Sequence, residues 1–292
     1  MDKTAKKPLV SVIIPTYNRG WIVSEAIDSV LSQDFSDYEL MVVDDGSDDR
    51  TPEILAAYED RITVIRHANR GVSAARNRGI AAAAGRLIAF LDSDDLWLPQ
   101  KLTTQVNFFA QNPNAVICQT EERWVRNGVR VNPKKRHLKF SGMIFERSLA
   151  LCLVSPSAVM IRKELFDAVG VFDEDLPACE DYDLWLRISC RYPVDLIETP
   201  LIVKRGGHAD QLSRAPALDR YRIRSLMKLL EANMLTGPQK QAVMTTLKEK
   251  CAVYAVGCRK RGKEAEAQYY ERLTHQVRGQ MTEDRGQKSE DR

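Results

Sequence analysis

Four short runs rich in β-branched and apolar residues recur in the first third of the chain, each followed by a segment with helical spacing. LVSVIIP (9–15), YELMVVDD (38–45), ITVIRH (62–67) and RLIAFLD (86–92) read as strands. Between them, WIVSEAIDSVLSQ sets Ile22, Ala26, Ile27, Val30 and Leu31 on one helical face, TPEILAAYE is a short helix with Thr51 as its expected N-cap, and GVSAARNRGIAAAA is a third helix. PQKLTTQVNFFAQ and AVICQT add a helix and a further strand. Such alternation with short connections argues for a parallel sheet covered by helices on both faces. In such a sheet the loops that leave the strands share one edge, and ligands bind there near the switch in strand order. PTYNRG (15–20) follows the first strand, DDGSDD (44–49) the second and DSDD (92–95) the fourth, so three polar clusters are expected to meet on that edge.

The acids need a reason to be there. Asp92, Asp94 and Asp95 crowd against the end of a buried strand with only Ser93 between them. An extended exit from the strand would turn Asp92 and Asp94 the same way. Two carboxylates in one place repel unless neutralised, and a hard divalent cation, Mg²⁺ or Mn²⁺ bridging to substrate phosphates, is the natural neutraliser. The structural alternative, an acid that stands before LWLPQKL and caps the helix beginning there, suits one of the three, Asp95. Asp44 and Asp45 pose the same choice. Either they build an Asx-type turn in which Gly46 supplies an unusual backbone angle, or their carboxylates accept hydrogen bonds from a base or ribose.

At 292 residues the chain suits one large domain, or one domain with an appendage. A formal charge of +3 is too small to point to nucleic acid; acid clusters occupy the first two thirds, and Lys and Arg crowd the last third. The six cysteines form no CxxC pair and lie mostly among apolar neighbours, which reads as reduced thiols in a cytoplasmic protein. The basic N-terminus runs from an apolar stretch straight into Pro and polar residues without a small-residue cleavage site, so a first strand is expected there rather than a signal peptide. No apolar run reaches the ~18 residues of a membrane span.

Beyond about residue 120 the alternation breaks down. ERWVRNGVRVNPKKRHLKF (122–140) is polar and basic, a strand pair or a loop. A strand-like piece lies at 157–161, and a helix begins near Glu180. Residues 216–277 read as helical in two or three segments with Gly237-Pro238 as a break, and the last fourteen residues have almost no apolar content and read as disordered. Trp97, Trp185 and Leu186 read as core residues and Trp124 as an exposed one.

VSVIIPTYNRG, VVDDGSDD, GVSAARNRGI, AFLDSDD, EDYDLWLRI and HADQLS, in that order over about residues 8–214, together resemble the family 2 glycosyltransferases, inverting enzymes of the GT-A fold. The resemblance implies an α/β, Rossmann-like nucleotide-diphospho-sugar transferase with a mixed, mainly parallel sheet flanked by helices. Its catalytic domain would be 1–214, with a nucleotide-binding half over about 8–120 and an acceptor half over about 121–214. A helical extension at 215–277 and a disordered tail at 278–292 would follow. By position, the resemblance puts Pro15, Tyr17 and Asp45 on the nucleotide base, Tyr17 by stacking and Asp45 by a hydrogen bond, with Asp44 supporting that loop or the ribose. Arg76 and Asn77 fall where the family lines the nucleotide pocket. Asp92 and Asp94 match the metal-binding D-x-D, Asp94 as the direct ligand and Asp92 as a sugar or ribose contact. Asp181 matches the general base, with Glu180 its close competitor, and His208 resembles a late histidine on the metal or diphosphate, in a loop shaped by Gln211 and Ser213.

The chemistry asks for these residue types. Attack of an acceptor hydroxyl on an anomeric carbon expels a nucleoside diphosphate, whose growing charge a divalent cation stabilises. A carboxylate on the opposite side takes the hydroxyl proton, and a single displacement inverts the centre. The resemblance thus implies a nucleotide-sugar donor, a UDP-sugar first among them, Mg²⁺ or Mn²⁺, and a saccharide, lipid-linked or protein acceptor, with no role for nucleic acid. Two other functions compete. A nucleotidyltransferase would want a glycine-rich phosphate loop after the first strand, where PTYNRGW offers one glycine. A non-catalytic binding protein on a degenerate transferase fold sits poorly with the intact D-x-D, Glu180-Asp181 and His208. QTEERW resembles the Q-x-x-R-W of membrane-embedded polysaccharide synthases but is one residue too long and precedes the expected base. The basic C-terminal helices either pack on the catalytic domain or touch anionic lipid at the inner face of the membrane.

Overall fold

The computed structural model describes residues 7–207, 211 and 217–274. Strand β1 (Val10–Thr16) is buried at every position, as a continuous apolar run in the middle of a parallel sheet should be. It pairs in parallel with β2 (Tyr38–Asp44) on one side and β4 (Leu87–Phe90) on the other, and β2 pairs in parallel with β3 (Thr63–Arg66). The connecting helices are α1 (Val23–Leu31), α2 (Thr51–Ala56) and α3 (Val72–Ala82). The chain therefore lays down β2 and β3 on one side of β1 and then returns to lay β4 on the other. The switch point between β1 and β4 puts the three polar loops on one edge, as expected. Helix α3 lies directly on β1 because Gly79 carries no side chain: a Cβ there would stand 2.5 Å from Cγ2 of Ile13.

Thr51 does not cap α2. It is the buried first residue of the helix, and its hydroxyl accepts the Arg19 N–H at 2.9 Å while Asp49 accepts the Thr51 N–H at 2.8 Å.

The remainder of the nine-stranded sheet comes from β5 (Leu96–Trp97), β6 (Ile117–Arg126), β7 (Val129–Val131), β8 (Val159–Arg162) and β9 (Asp195–Gly206), in the order β3-β2-β1-β4-β8-β6-β9-β5 with β7 hairpinned on β6. Strands β3, β2, β1, β4, β6 and β9 run one way and β5, β7 and β8 run against them, so the sheet is mixed and mainly parallel. Helices α4 (Lys101–Gln111), α6 (Leu165–Val169) and α7 (Glu180–Ser189) accompany these strands, and Trp97 and Trp185 are core residues as expected. Strand β9 was not anticipated. Its run contains Pro200, which argues against a strand, and the ladder with β6 shifts register where Glu121 faces that proline.

Among the described residues, 145–152 and 217–274 form a second compact unit; the expected tail at 278–292 lies outside the described residues. The unit holds α5 (Phe145–Ser148), α8 (Leu218–Glu231) and α9 (Gly237–Lys260), with further helical residues at 264–274. Gly237-Pro238 opens α9 rather than interrupting a helix. Thr236 and Gln239 form a reciprocal capping box over its first turn. No helix among the described residues is long and apolar enough to cross a membrane.

Candidate active site

At the ends of β1 and β2, Pro15 is buried beside Val43 while Tyr17 is 43 % exposed, its ring open to solvent. Asp44 is turned fully inward. One of its oxygens accepts the Ser47 N–H at 2.9 Å, and Arg66 Nε lies 3.3 Å from the other. Its bond to the Ser47 N–H holds the loop after β2. Asp45 is also buried, and its two oxygens accept the N–H groups of Arg70 and Gly71, each at 2.8 Å, which braces the start of α3. His67 Nδ1 also lies 3.3 Å from Oδ1, whereas Oδ2, with the Gly71 N–H alone, keeps a lone pair for another donor. Along the same edge Thr16 Oγ1, His67 Nε2 and Ser73 Oγ are buried without a hydrogen-bond partner among the described residues. Buried polar atoms are nearly always partnered, so three such atoms along one edge suit a polar ligand.

Arg76 is the centre of the arrangement. Helix α3 carries it into the interior, where Nη2 donates to Asp92 at 2.7 Å and Nη1 to Glu180 at 2.6 Å. Burial opposes its charge, but Asp92 and Glu180 more than offset this and the guanidinium is held firmly ionised. Phe172 closes over it, with Arg76 Cζ 5.1 Å from the ring centroid. The neighbouring Asn77 amide donates to the Phe172 carbonyl at 2.9 Å and accepts the Phe172 N–H at 3.0 Å, so it fixes the loop that covers Arg76.

The acidic run after β4 is a turn and not an extended exit: the Asp95 N–H donates to the Asp92 carbonyl at 3.0 Å. Asp95 caps no helix, since α4 starts at Lys101. It is buried and accepts the Ser157 hydroxyl at 2.6 Å and the Arg205 N–H at 2.8 Å, tying the turn to the 3-10 turn before β8 and to β9. Burial raises its carboxyl well above the usual range, with Lys204 opposing and Asp94 and Asp92 adding to the rise. Asp92 and Asp94 remain half-buried.

Helix α7 begins immediately after Cys179, whose φ of 61° is left-handed, and its first turn holds Glu180 and Asp181. Glu180 is 5 % exposed and engaged by Arg76. Burial pushes its carboxyl up, Arg76 pulls it back, and the charge of Asp181 adds to the rise. Asp181 is half-buried, and one of its oxygens accepts the Tyr182 N–H at 2.7 Å.

Lys204 on β9 was missed by the sequence reading. Burial opposes its charge, but Glu122, Asp95, Asp92 and Asp181 together raise its pKa. Its ammonium donates to Ser155 at 3.0 Å. Glu122 on β6, also missed, accepts from Lys139 at 2.8 Å and from the Trp124 indole at 3.0 Å. Trp124, expected to be exposed, is half-buried in this network. Protein cations, Arg76 and Lys204, thus do part of the neutralising that the acid cluster requires. The only local sign of Lys204 is the basic pair in IVKRGG, which does not reveal that β9 lies beside β6.

His208 and Ser213 lie outside the described residues. Among those described, no group of three or more His, Cys, Asp or Glu is arranged to hold a metal ion. The donor chemistry of Asp92 and Asp94 nevertheless fits Mg²⁺ or Mn²⁺: both are half-buried oxygen donors on one turn, and Mg²⁺ is commonly held by one or two carboxylates plus substrate phosphates.

The fold has solved counterparts. Staphylococcus aureus TarS 1-349, in a structure titled as a complex with UDP-GlcNAc, superimposes with a TM-score of 0.64 at 18 % identity over 91 % of each chain, which shows a shared GT-A fold. A Rickettsia typhi protein named as an uncharacterized glycosyltransferase is 36 % identical over 200 residues, 66 % of this chain; the match spans just under two thirds, 63 %, of the relative's own length. The Escherichia coli UDP-Glc:alpha-D-GlcNAc-diphosphoundecaprenol beta-1,3-glucosyltransferase WfgD is 34 % identical over 185 residues, covering 62 % of this chain and 69 % of WfgD. The family model for Glycosyl transferase family 2 matches residues 11–170, which include Tyr17, Asp45, Arg76 and the D-x-D turn. The chain belongs to glycosyl transferase family 2.

Proposed function

We propose that this glycosyltransferase inverts the anomeric centre as it moves a sugar from a UDP-sugar to a saccharide hydroxyl, in the assembly of a surface polysaccharide, lipopolysaccharide or related glycoconjugate. The observation that carries the reading is the Arg76 bridge, which joins the D-x-D turn of the nucleotide half to the acids that open α7. The donor class is supported by the UDP-GlcNAc of the TarS structure and by the UDP-Glc in the name of WfgD. The diphosphoundecaprenol in that name favours a lipid-linked acceptor at the inner face of a membrane.

Tyr17 offers an exposed ring on which the base stacks, and Asp45 accepts a hydrogen bond at the base edge with the remaining lone pair of its Oδ2. Asp92 and Asp94 would hold Mg²⁺ or Mn²⁺, which when bound supplies positive charge to the leaving diphosphate. Between Glu180 and Asp181 the roles divide. Glu180 is buried, bonded to Arg76 and raised, so it positions Arg76. Asp181 is the partly accessible carboxylate beside it and takes the acceptor's proton.

The test is thermal melting with UDP, GDP, dTDP and CMP, each with Mn²⁺ or with chelator. Binding to the native state must raise the midpoint. UDP is expected to raise it in a metal-dependent way that Asp94→Ala abolishes. No shift with any nucleotide would sink the reading and favour a degenerate binding module.

A further inference from the structure

Between Glu122 and Glu146 the sequence carries seven Lys and Arg and no acid. The fold turns this stretch into the β6–β7 hairpin and a 3-10 turn at Lys135–His137. Asn127 and Gly128, both with positive φ, close the hairpin in a two-residue turn; the Asn127 N–H donates to the Gly206 carbonyl of β9 at 3.1 Å, while a Cβ at Gly128 would meet nothing within 4 Å, so the outer corner of the turn is open. Arg126, Arg130, Lys134, Lys135 and Arg136 are exposed and make no ion pair among the described residues. Beside them Val129 and Leu138 are 65 % and 49 % exposed. In the C-terminal unit some basic residues are ion-paired: Arg222 with Asp219 at 3.0 Å, Arg259 with Glu271 at 2.6 Å and Lys263 with Glu266 at 3.5 Å.

We propose that the β6–β7 hairpin and the 134–138 segment form the docking surface of this protein for an anionic lipid bilayer, with the cations among the headgroups and Val129 and Leu138 at the acyl boundary. Arg126 and Arg130 lie on opposite faces of the hairpin, since Arg126 faces Val129 across the ladder and Arg130 faces Val125. A glycan chain laid along one face would leave half the charge unused; a surface that receives the tip itself engages both. Unpaired cations beside exposed apolar side chains are the combination that holds peripheral proteins on anionic membranes. The positive field is felt at His137, whose imidazole is held below its usual range by burial and then by Arg136, Lys204, Arg126 and Lys134. The surface also continues toward the acids: the Trp124 and His137 rings are 5.2 Å apart, and Lys204 Nζ is 5.9 Å from the Trp124 ring. That this presents a lipid-linked acceptor to Asp181 rests on the transferase reading; the docking itself does not.

The test is co-sedimentation of the full chain with vesicles of phosphatidylglycerol and phosphatidylcholine, against phosphatidylcholine alone, with nucleotide-dependent melting read on the same preparations. Wild type is expected to pellet with the anionic vesicles and to lose this binding at high salt. The triple variant Arg130→Gln, Lys134→Gln, Lys135→Gln is expected to weaken partitioning by about a hundredfold, about fivefold per cation, with an unchanged melting midpoint. Val129→Ser with Leu138→Ser should weaken it at constant charge. The proposal is overturned by a wild type that stays in the supernatant, or by a triple variant that pellets as well as wild type. Tight binding of soluble polyphosphate through the same residues, with no vesicle binding, would also overturn it and assign the patch to a free anionic chain. A UDP shift that persists while vesicle binding fails removes the docking surface alone. The converse result removes the transferase reading alone.

Discussion

At the scale of single residues, the division between Glu180 and Asp181 makes opposite predictions for two near-isosteric changes. Asp181→Asn is expected to lower turnover by about 10²–10⁴-fold while leaving the UDP-dependent melting shift intact. Glu180→Gln should instead lose about 3 kcal/mol of stability, read by urea unfolding, because it leaves the buried Arg76 one charge short. Glu122 gives a test in pH. Although burial raises its carboxyl, Lys204 and Lys139 bring it down to about 2, below its ordinary value, and its side chain is only 3 % exposed. A carboxylate depressed in the folded state stabilises fully above its unfolded pKa of about 4.3, and that contribution is lost as pH falls through the folded value. Acid unfolding of wild type should therefore show a stability loss of up to about 3 kcal/mol between roughly pH 4.5 and pH 2, which Glu122→Gln removes from the slope. An unchanged slope in the variant would discard the assignment.

At the scale of elements, the close approach of α3 to β1 decides where Arg76 sits. Gly79→Ala forces a Cβ into Ile13, and is expected to cost about 1–3 kcal/mol and to weaken nucleotide binding as α3 rides off the strand. A variant with full stability would mean that Ile13 simply rotates away. The same elements show what a reader of the sequence can and cannot see. Strands β1 to β4 were legible because each is a short apolar run bounded by turn residues, and their common edge followed from their order. The acid clusters were legible because carboxylates at the end of a core run are conspicuous. Strand β9 was not, since its pattern is broken by Glu198, Thr199 and Pro200, and everything that β9 delivers was lost with it. Lys204 comes under the charge of Asp92, and Arg205 meets Asp95, only because strands far apart in the chain become neighbours. Asp95 was misread for a related reason: its partners, Ser157 and Arg205, are 62 and 110 residues away, and a local rule offered only a cap.

At the scale of the molecule, no disulfide joins any of the six cysteines, and Cys118, Cys190, Cys251 and Cys258 are buried. Burial pushes the Cys118 thiol up to about 12 and the Cys251 thiol up to about 11. Ellman's reagent at mildly alkaline pH is expected to titrate Cys152 and Cys179 in the native protein and to reach the others only on unfolding. Fast reaction of all six would contradict the packing described above. Arg76 constrains the whole catalytic unit. One guanidinium holds both the turn after β4 and the first residue of α7, so the two acids it grips cannot drift independently. Anyone retraining this protein on a new sugar by directed evolution inherits that tether. Libraries that vary Asp92 or Glu180 alone should fill with dead clones, whereas libraries that randomise positions 76, 92 and 180 together can exchange the whole handshake and keep the two halves in step.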